Sequence, residues 1–591
     1  MIRMEDVTDK ILSELNDEMT EEERNIKIKE FSDELTEMAI EDTYYKARVV
    51  DMFNNNQFFL FVHIIYKDVR FVGAPPSAMG KFGGDTDNWM WPRHTADFAL
   101  LRIYTAPDGT PASYSEENIP LKPNYYLPVS TKGFKDNDFA MIMGFSGSTN
   151  RYLTSFGLAE TMNIVNTLRH DIRTVKLDII KEDMLKDDLV RIQYASKAAR
   201  VSNYWKYSYE QNKALRRLNT MGIKKDIEKK FIRWASENPE RQQKYGDALN
   251  IIEQVYNNRK ELTEARMYMF EGLLTGAELP MFAYRNRNLL EALESKEQEK
   301  IDEAIENARQ SAENFYKDYN PGTEKRLIAA MYKYVYENMD KKYHPEVFET
   351  IEKSYKNDFE AYAEDIINKS VFGTEEAFMS FLDRPRLRKL RNDPALNAGM
   401  SVFYSYREIN EQFRELSKEL PRGERLFVDG WLQINDDKFL YPDANSTIRI
   451  TYGTVGGYEP RDGVVYDYYT TIEGVMEKKD QDCHEFYVPE RLTELYNNKD
   501  FGDYINDKGE LVTCFITNND ITGGNSGSPV IDAEGRLIGV AFDGNSEAMS
   551  GDIHFETVLQ KCINVDARYV LFVIDKYANA QNIMRELNVV R

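Results

Sequence analysis

The apolar period of this chain changes twice along its length, and that order constrains the fold more than any other feature. From about residue 48 to 145 the apolar residues fall in short β-prone runs split by Gly, Pro and Asn: Ala47-Arg-Val-Val, Gln57-Phe-Phe-Leu-Phe-Val, Asp97-Phe-Ala-Leu-Leu-Arg-Ile-Tyr and Phe139-Ala-Met-Ile-Met-Gly. From about 155 to 420 the spacing is three and four, so Ile164, Leu168, Ile172, Val175 and Ile179 share one helix face, and Leu249, Ile252, Val255 and Tyr256 another. From about 425 strands return: Ile448, Ile450 and Tyr452 alternate, followed by Leu511-Val-Thr-Cys-Phe-Ile, Leu537-Ile-Gly-Val-Ala-Phe and Tyr569-Val-Leu-Phe-Val-Ile. The expected class is α+β in three segments. Residues 1–152 hold an opening helix (5 to about 47) and a first β region of about four or five strands; 153–424 are helical; 425–591 are a second β region. Asn320-Pro-Gly-Thr breaks one helix, and Thr323 is expected to cap the next.

The sharpest motif, Asp520-Ile-Thr-Gly-Gly-Asn-Ser-Gly-Ser-Pro-Val530, lies between two of the later strand runs. Two glycines before Ser526 and one after it let the backbone fold tightly around a hydroxyl. In trypsin-like proteases the amides of the nucleophile and of the residue two before it hold the oxyanion, which here means Ser526 and Gly524. Losing one such donor costs about 3–4 kcal/mol of barrier. The motif is not Gly-x-Ser-x-Gly, because position 528 is Ser, and an α/β-hydrolase elbow needs a strand-to-helix turn. Ser146, in Gly144-Phe-Ser-Gly-Ser, lacks the paired glycines and is read as a decoy.

A trypsin-like triad runs His, Asp, Ser along the chain. Asp97, opening a strand run with apolar residues behind it, is the candidate aspartate; it would fix the imidazole tautomer and stabilise the imidazolium. Only His63 and His94 precede it. His63 sits in an apolar strand run and His94 is three residues from Asp97, so both are read as structural. Without a base the hydroxyl is weakly nucleophilic, at a cost on the order of 10⁶ in turnover.

Composition closes off other classes. The formal charge of −23 disfavours nucleic acid and anionic lipid as partners and serves solubility. Three scattered cysteines, Cys483, Cys514 and Cys562, make neither a disulfide scaffold nor a zinc knuckle. No metal-ligand cluster or phosphate loop is read, so no metal and no cofactor are expected, and no apolar run is long enough to span a membrane.

The strings Gly523-Gly-Asn-Ser-Gly-Ser-Pro, Ala541-Phe-Asp-Gly-Asn, Met549-Ser-Gly-Asp-Ile, Phe82-Gly-Gly-Asp-Thr-Asp-Asn-Trp-Met-Trp-Pro-Arg-His, Ser202-Asn-Tyr-Trp-Lys and Tyr441-Pro-Asp-Ala-Asn-Ser-Thr resemble the dipeptidyl-peptidase 7 / dipeptidyl-peptidase 11 family of bacterial serine exopeptidases. The resemblance implies a chymotrypsin-like double β-barrel, its first barrel incomplete here, with a large inserted α-helical domain acting as a cap. It implies release of dipeptides from free N-termini of oligopeptides, a homodimer, and a periplasmic, cell-surface or secreted location in a gram-negative bacterium. It carries over Ser526 as nucleophile, Asp97 as triad aspartate, and Asn88, Trp89, Asn203 and Asp543 as the residues that hold the substrate ammonium. Members preferring Asp or Glu carry an Arg at the position of Gly544, in the specificity pocket; Gly544 leaves room and no charge, so a hydrophobic or broad preference is expected.

Two departures stand out. The family's catalytic His, in an Asn-His-His-Cys string upstream of the region matching Met1, is absent from these residues, as is any leader. The first reading is an N-terminally truncated exopeptidase, expected to be close to inactive as written; the second is a catalytically dead peptide-binding homologue. Position 546 is Ser where the family commonly has Trp.

Overall fold

The computed structural model describes residues 1–16 and 19–591, and the chain divides into two compact units. The first comprises Met1–Thr154, Lys213–Leu249 and Pro421–Arg591; the second comprises Ser155–Asn212 and Asn250–Leu420. The division differs from three consecutive segments: residues 213–249, helical in sequence, cluster with the two β-rich ends.

In the first unit, β1 (Arg3–Asp6), β2 (Lys46–Met52) and β3 (Gln57–His63) form an antiparallel sheet in the order β1-β3-β2. The helix Glu21–Ile40 lays Ile28, Phe31, Leu35 and Ala39, spaced three and four apart, against the core of Phe58, Leu60 and Val62. Its start is fixed by a capping box, in which Thr20 accepts from the Glu23 amide and the Glu23 carboxylate accepts from the Thr20 amide. The opening is thus not helical throughout. Arg3–Asp6 is a strand because β3 offers it a partner edge, a pairing at a separation of more than fifty residues that local spacing does not reveal.

A second antiparallel sheet contains β4 (Asp68–Gly73), β5 (Leu100–Thr105) and β6 (Ile119–Pro120), in the order β4-β5-β6. Asp97 precedes β5 by three residues and lies in a loop, not at the strand's start. The first β region therefore splits: six strands form two three-stranded sheets, and Phe139–Phe145 joins a third. It also holds more strands than the four or five expected, because β4 alternates poorly and β6 is two residues long.

The largest sheet carries β7 (Val129–Ser130), β8 (Phe139–Phe145) and β9 (Ile448–Thr454), then, after the short hairpin of β10 (Tyr458–Arg461) and β11 (Val464–Tyr466), β12 (Tyr469–Thr471), β13 (Val512–Thr517), β14 (Pro529–Ile531), β15 (Leu537–Gly544), β16 (Cys562–Asp566) and β17 (Val589–Val590). Its main path runs β12-β13-β16-β15-β14-β8-β9. The path then curls back on itself: Val455, just past β9, bridges to Thr517 of β13, and the Asn518 amide donates to Thr454 O. Five strands of the closed ring β13-β16-β15-β14-β8-β9 supply buried residues, among them Phe515, Cys562, Ala541, Val530 and Ile142, and Val455, just past β9, adds another. That is period-two patterning with one face turned inward.

The expected strand at Tyr569–Ile574 is instead a helix, Ala567–Phe572, capped by Asp566, whose side chain accepts from the Arg568 amide. It is buried almost all round, so neither period shows in its sequence.

The second unit is helical. Asn166–Lys186 buries Ile172, Leu177 and Ile180, and Pro321–Asn338 buries Leu327, Ile328, Met331, Tyr332 and Val335 on one face. The cap of the latter helix is Asn320, which accepts from the Thr323 amide, with Pro321 in the first turn; Thr323 itself is buried inside the helix.

Candidate active site

Ser526 lies in the loop between β13 and β14 with its side chain exposed. Gly524 and Gly527 adopt φ of +105° and +86°, the left-handed region that favours glycine. A Cβ on Gly524 would stand 2.4 Å from Phe145 O, so glycine is required there for space as well as for dihedral. The loop is tied internally: Asn525 is buried, its Oδ1 accepts from the Thr522 amide at 3.1 Å, its own amide donates to Thr522 O, and the Ser528 amide donates to Asn525 O at 2.9 Å. The Gly527 amide donates to Ala541 O on β15. The amides of Gly523, Gly524 and Ser526 donate to nothing among the described residues. Two of these are the pair that would face an oxyanion. The Ser526 hydroxyl donates to Phe542 O at 3.2 Å, a weak bond that a substrate can replace.

Beneath the loop runs the segment after β8. The Gly147 amide donates to Gly523 O at 2.6 Å, and Thr522 Oγ1 stands 3.3 Å from Ser148 O. Ser146 is buried inside this support.

The second strand after the Ser526 loop, β15, runs through Phe542 into Asp543 and Gly544. The Asp543 carboxylate accepts from Arg93 Nη1 at 2.6 Å and the Trp89 amide at 3.2 Å through Oδ2, and from the Gly544 amide at 2.9 Å through Oδ1. Arg93 and Asp543 form a buried ion pair, their side chains 10% and 8% exposed. Arg93 also stands over the Phe542 ring at 5.0 Å. The Trp89 ring and Ala548 flank Gly544, and a Cβ added there would meet them at 3.9 and 3.4 Å, ordinary contact distances. Ser546 opens the turn beyond, its hydroxyl on Glu547.

Asp97 follows a stretch anchored to the same body: Thr95 O accepts from Cys514 Sγ of β13, Arg93 O from Thr470 Oγ1, and Trp91 Nε1 donates to Asp467 O. Its carboxylate is exposed yet set among dense protein, and this desolvation raises its pKa; Arg93 opposes the rise and Asp543 adds to it. Asp97 is thus in electrostatic reach of Arg93 and Asp543, next in chain to the carbonyl that Ser526 bonds.

None of the six histidines bonds to Ser526 or Asp97 among the described residues. His63 is on β3 facing Lys46, and burial lowers its pKa. His94 is buried against Gly474 with Nδ1 unpartnered; burial, then Lys478 and Arg93, take its pKa down to about 3, so it is neutral.

In this division of the chain Asn88, Trp89, Asp97, Gly524, Ser526, Asp543 and Gly544 belong to the first unit, and Asn203 belongs to the second, on the helix Asp188–Arg217. A cavity of about 890 Å³ lies within the helical unit, between Arg173, Lys197, Phe282 and Phe315, and holds none of these residues. Neither Arg93 nor Arg151 stands out in the sequence; an arginine beside Trp-Pro carries no signal until its carboxylate partner is brought to it across the fold.

The peptidase S46 family matches residues 1–589. Dipeptidyl-peptidase 7 of Porphyromonas gingivalis is 41% identical over 99% of this chain and 81% of its own length. The Asp/Glu-specific dipeptidyl-peptidase of the same organism is 38% identical over 91% of this chain and 75% of its own. The crystal structure of Porphyromonas endodontalis DPP11 in complex with the dipeptide Arg-Glu superposes with a TM-score of 0.89 at 32% identity, covering all of this chain and 85% of that one. With these likenesses along the whole chain, the protein is a peptidase and belongs to the peptidase S46 family.

Proposed function

We propose that the protein is a serine-type dipeptidyl-peptidase that releases dipeptides from the free N-terminus of oligopeptides, with Ser526 as nucleophile. One observation carries this reading: an exposed Ser526 hydroxyl beside the unbonded amides of Gly524 and Ser526, on a loop whose other amides from Thr522 to Ser528 are committed, that of Gly523 excepted. Such donors stabilise the negative oxygen of a tetrahedral intermediate as it forms. In this reading the closed six-stranded sheet is the second half of a chymotrypsin-like pair, and Asp97 orients a catalytic imidazole. None of the described residues fills the role of that imidazole, so turnover by these residues alone is slow.

Asp543 suits an ammonium anchor. An ionised carboxylate offers about four acceptor positions, and three are taken by Arg93, Trp89 and Gly544, leaving one for a substrate donor. Asn88 and Trp89 lie on the adjoining segment; Asn203 is included through the family resemblance alone, as are a homodimer and a periplasmic, cell-surface or secreted location. Among the described residues no helix is long and apolar enough to cross a membrane.

Several relatives are named for Asp/Glu specificity. Here the residue between Trp89 and Ala548 is Gly544, which itself brings no charge to hold an acidic side chain, and this supports an apolar or broad preference at the residue before the cut. The test is release of a fluorophore from dipeptide substrates ending in Leu or Asp, with and without added imidazole, by the protein and by S526A. The expected result is slow release that rises saturably with imidazole, favours Leu and vanishes in S526A. Equal release by S526A would end the reading of Ser526, and faster release from the Asp substrate would end that of Gly544.

A further inference from the structure

The nucleophile loop is rich in glycine, with Gly523, Gly524 and Gly527 within five residues, so its chain has much freedom to lose when the amides are aimed. Its internal bonds fix the stretch from Thr522 to Ser528, and backbone bonds to Gly147 and Ala541 seat its middle and end. Arg151 seats its entry. Its guanidinium grips Asp520, the first residue of the motif, with both prongs: Nη1 pairs with Oδ2, and Nη2 donates to Oδ1 at 2.6 Å. Its Nε donates to Gly551 O at 3.0 Å, in the turn that follows Gly544 and Ala548. Nη1 also reaches the Tyr441 hydroxyl at 3.2 Å. Arg151 is held in turn through its backbone, the amide donating to Asp443 Oδ1 at 2.7 Å and the carbonyl accepting from Lys224 Nζ. Bidentate arginine–carboxylate pairs fix orientation as well as distance, which a lysine cannot do.

Two neighbouring bonds complete the frame. Thr522 Oγ1 donates to Asp552 Oδ1 at 2.6 Å, and the Asn150 amide donates to Asp552 O at 2.6 Å. Residues 147–151 thereby bind both the entry of the nucleophile loop and the turn beyond the specificity position.

We propose that Arg151 is a positioning residue for the reaction: by clamping Asp520 and Gly551 together it sets the direction of the Gly524 and Ser526 amides, without touching substrate. The inference rests on the reading of Ser526 as nucleophile, and its test separates the two. The probe is a dipeptidyl boronic acid with a free N-terminus. The serine oxygen adds to trigonal boron, one O–B bond forms, the hydroxyl proton leaves to buffer, and the tetrahedral borate places an oxygen where the oxyanion would be. Boron NMR reads the tetrahedral species. The matching dipeptide acid, which fills the same subsites without that bond, is the reference ligand.

The expected result is that R151M weakens the boronate by roughly 30-fold or more while the dipeptide acid changes less than about threefold. R151K should recover part of the loss, and D520N should fall between. Should R151M fail to fold, R151K and D520N carry the same comparison. Equal weakening of both ligands would overturn the inference, as would unchanged boronate binding by R151M when S526A abolishes the tetrahedral signal. A tetrahedral signal that survives in S526A would instead overturn the nucleophile reading.

Discussion

Arg93 and Asp543 make the most testable claim about stability, because their pairing is buried and joins two segments 450 residues apart. Replacing Arg93 by Met leaves a carboxylate with only 8% of its side chain exposed and no cation. Breaking one side of a buried pair costs about 3–5 kcal/mol. Asp543 retains the Trp89 and Gly544 amides, so R93M falls at the low end, about 3 kcal/mol. D543N is expected to cost a similar amount, since the Arg93 guanidinium then keeps only the Phe542 face and Asp97 nearby, and its Nε already lacks a partner. The double variant R93M/D543N should cost less than the sum by about 2 kcal/mol, the signature of direct coupling. The assay is urea unfolding followed by tryptophan fluorescence. Four of the five tryptophans, Trp89, Trp91, Trp234 and Trp431, belong to the first unit, so the signal reports on the unit that carries the pair. Additivity within about 0.5 kcal/mol, or single variants indistinguishable from wild type, would refute the reasoning.

Three further outcomes are expected. A Cβ at Gly544 meets only ordinary contacts, and G544R should shift preference toward Asp at the residue before the cut, read as the ratio of kcat/KM for the Asp and Leu substrates in the presence of imidazole; an unchanged ratio would remove Gly544 from the pocket. Glu324 is fully buried in the helical unit, with Oε1 accepting from the Glu278 and Leu279 amides and Oε2 unpartnered, and burial, reinforced by Glu278 against Lys176, raises its pKa. A raised carboxyl contributes stability that is fully present below its ordinary value near 4.5 and is lost as pH rises through the elevated one, so the melting temperature of E324Q relative to wild type should climb across that window; a flat difference would contradict it. Of the three free thiols only Cys483 should react with a thiol reagent in the native state, because Cys514 and Cys562 are buried and burial pushes the Cys514 thiol up to about 12; rapid labelling of more than one would fail it.

The two changes of apolar period, the helical middle and the Gly-Gly-Asn-Ser-Gly-Ser turn were legible in sequence because each rests on neighbours within a few residues. A β-turn rich in glycine and a helix face carry their own signature whatever surrounds them. The pairing of Arg3–Asp6 with β3 and the curling of β9 back to β13 were not legible, since strand partners are chosen by edges the chain brings together from far apart. The Tyr569 run was not legible as a helix because burial on almost all sides erased its period; a single aspartate, Asp566, caps it. Around Ser526, the glycine-rich turn was readable because its glycines are local to it. What surrounds them, the Arg93–Asp543 pair and the Arg151 clamp on Asp520, exists only after folding, because a buried charge finds its partner in space and leaves no spacing in the sequence to read.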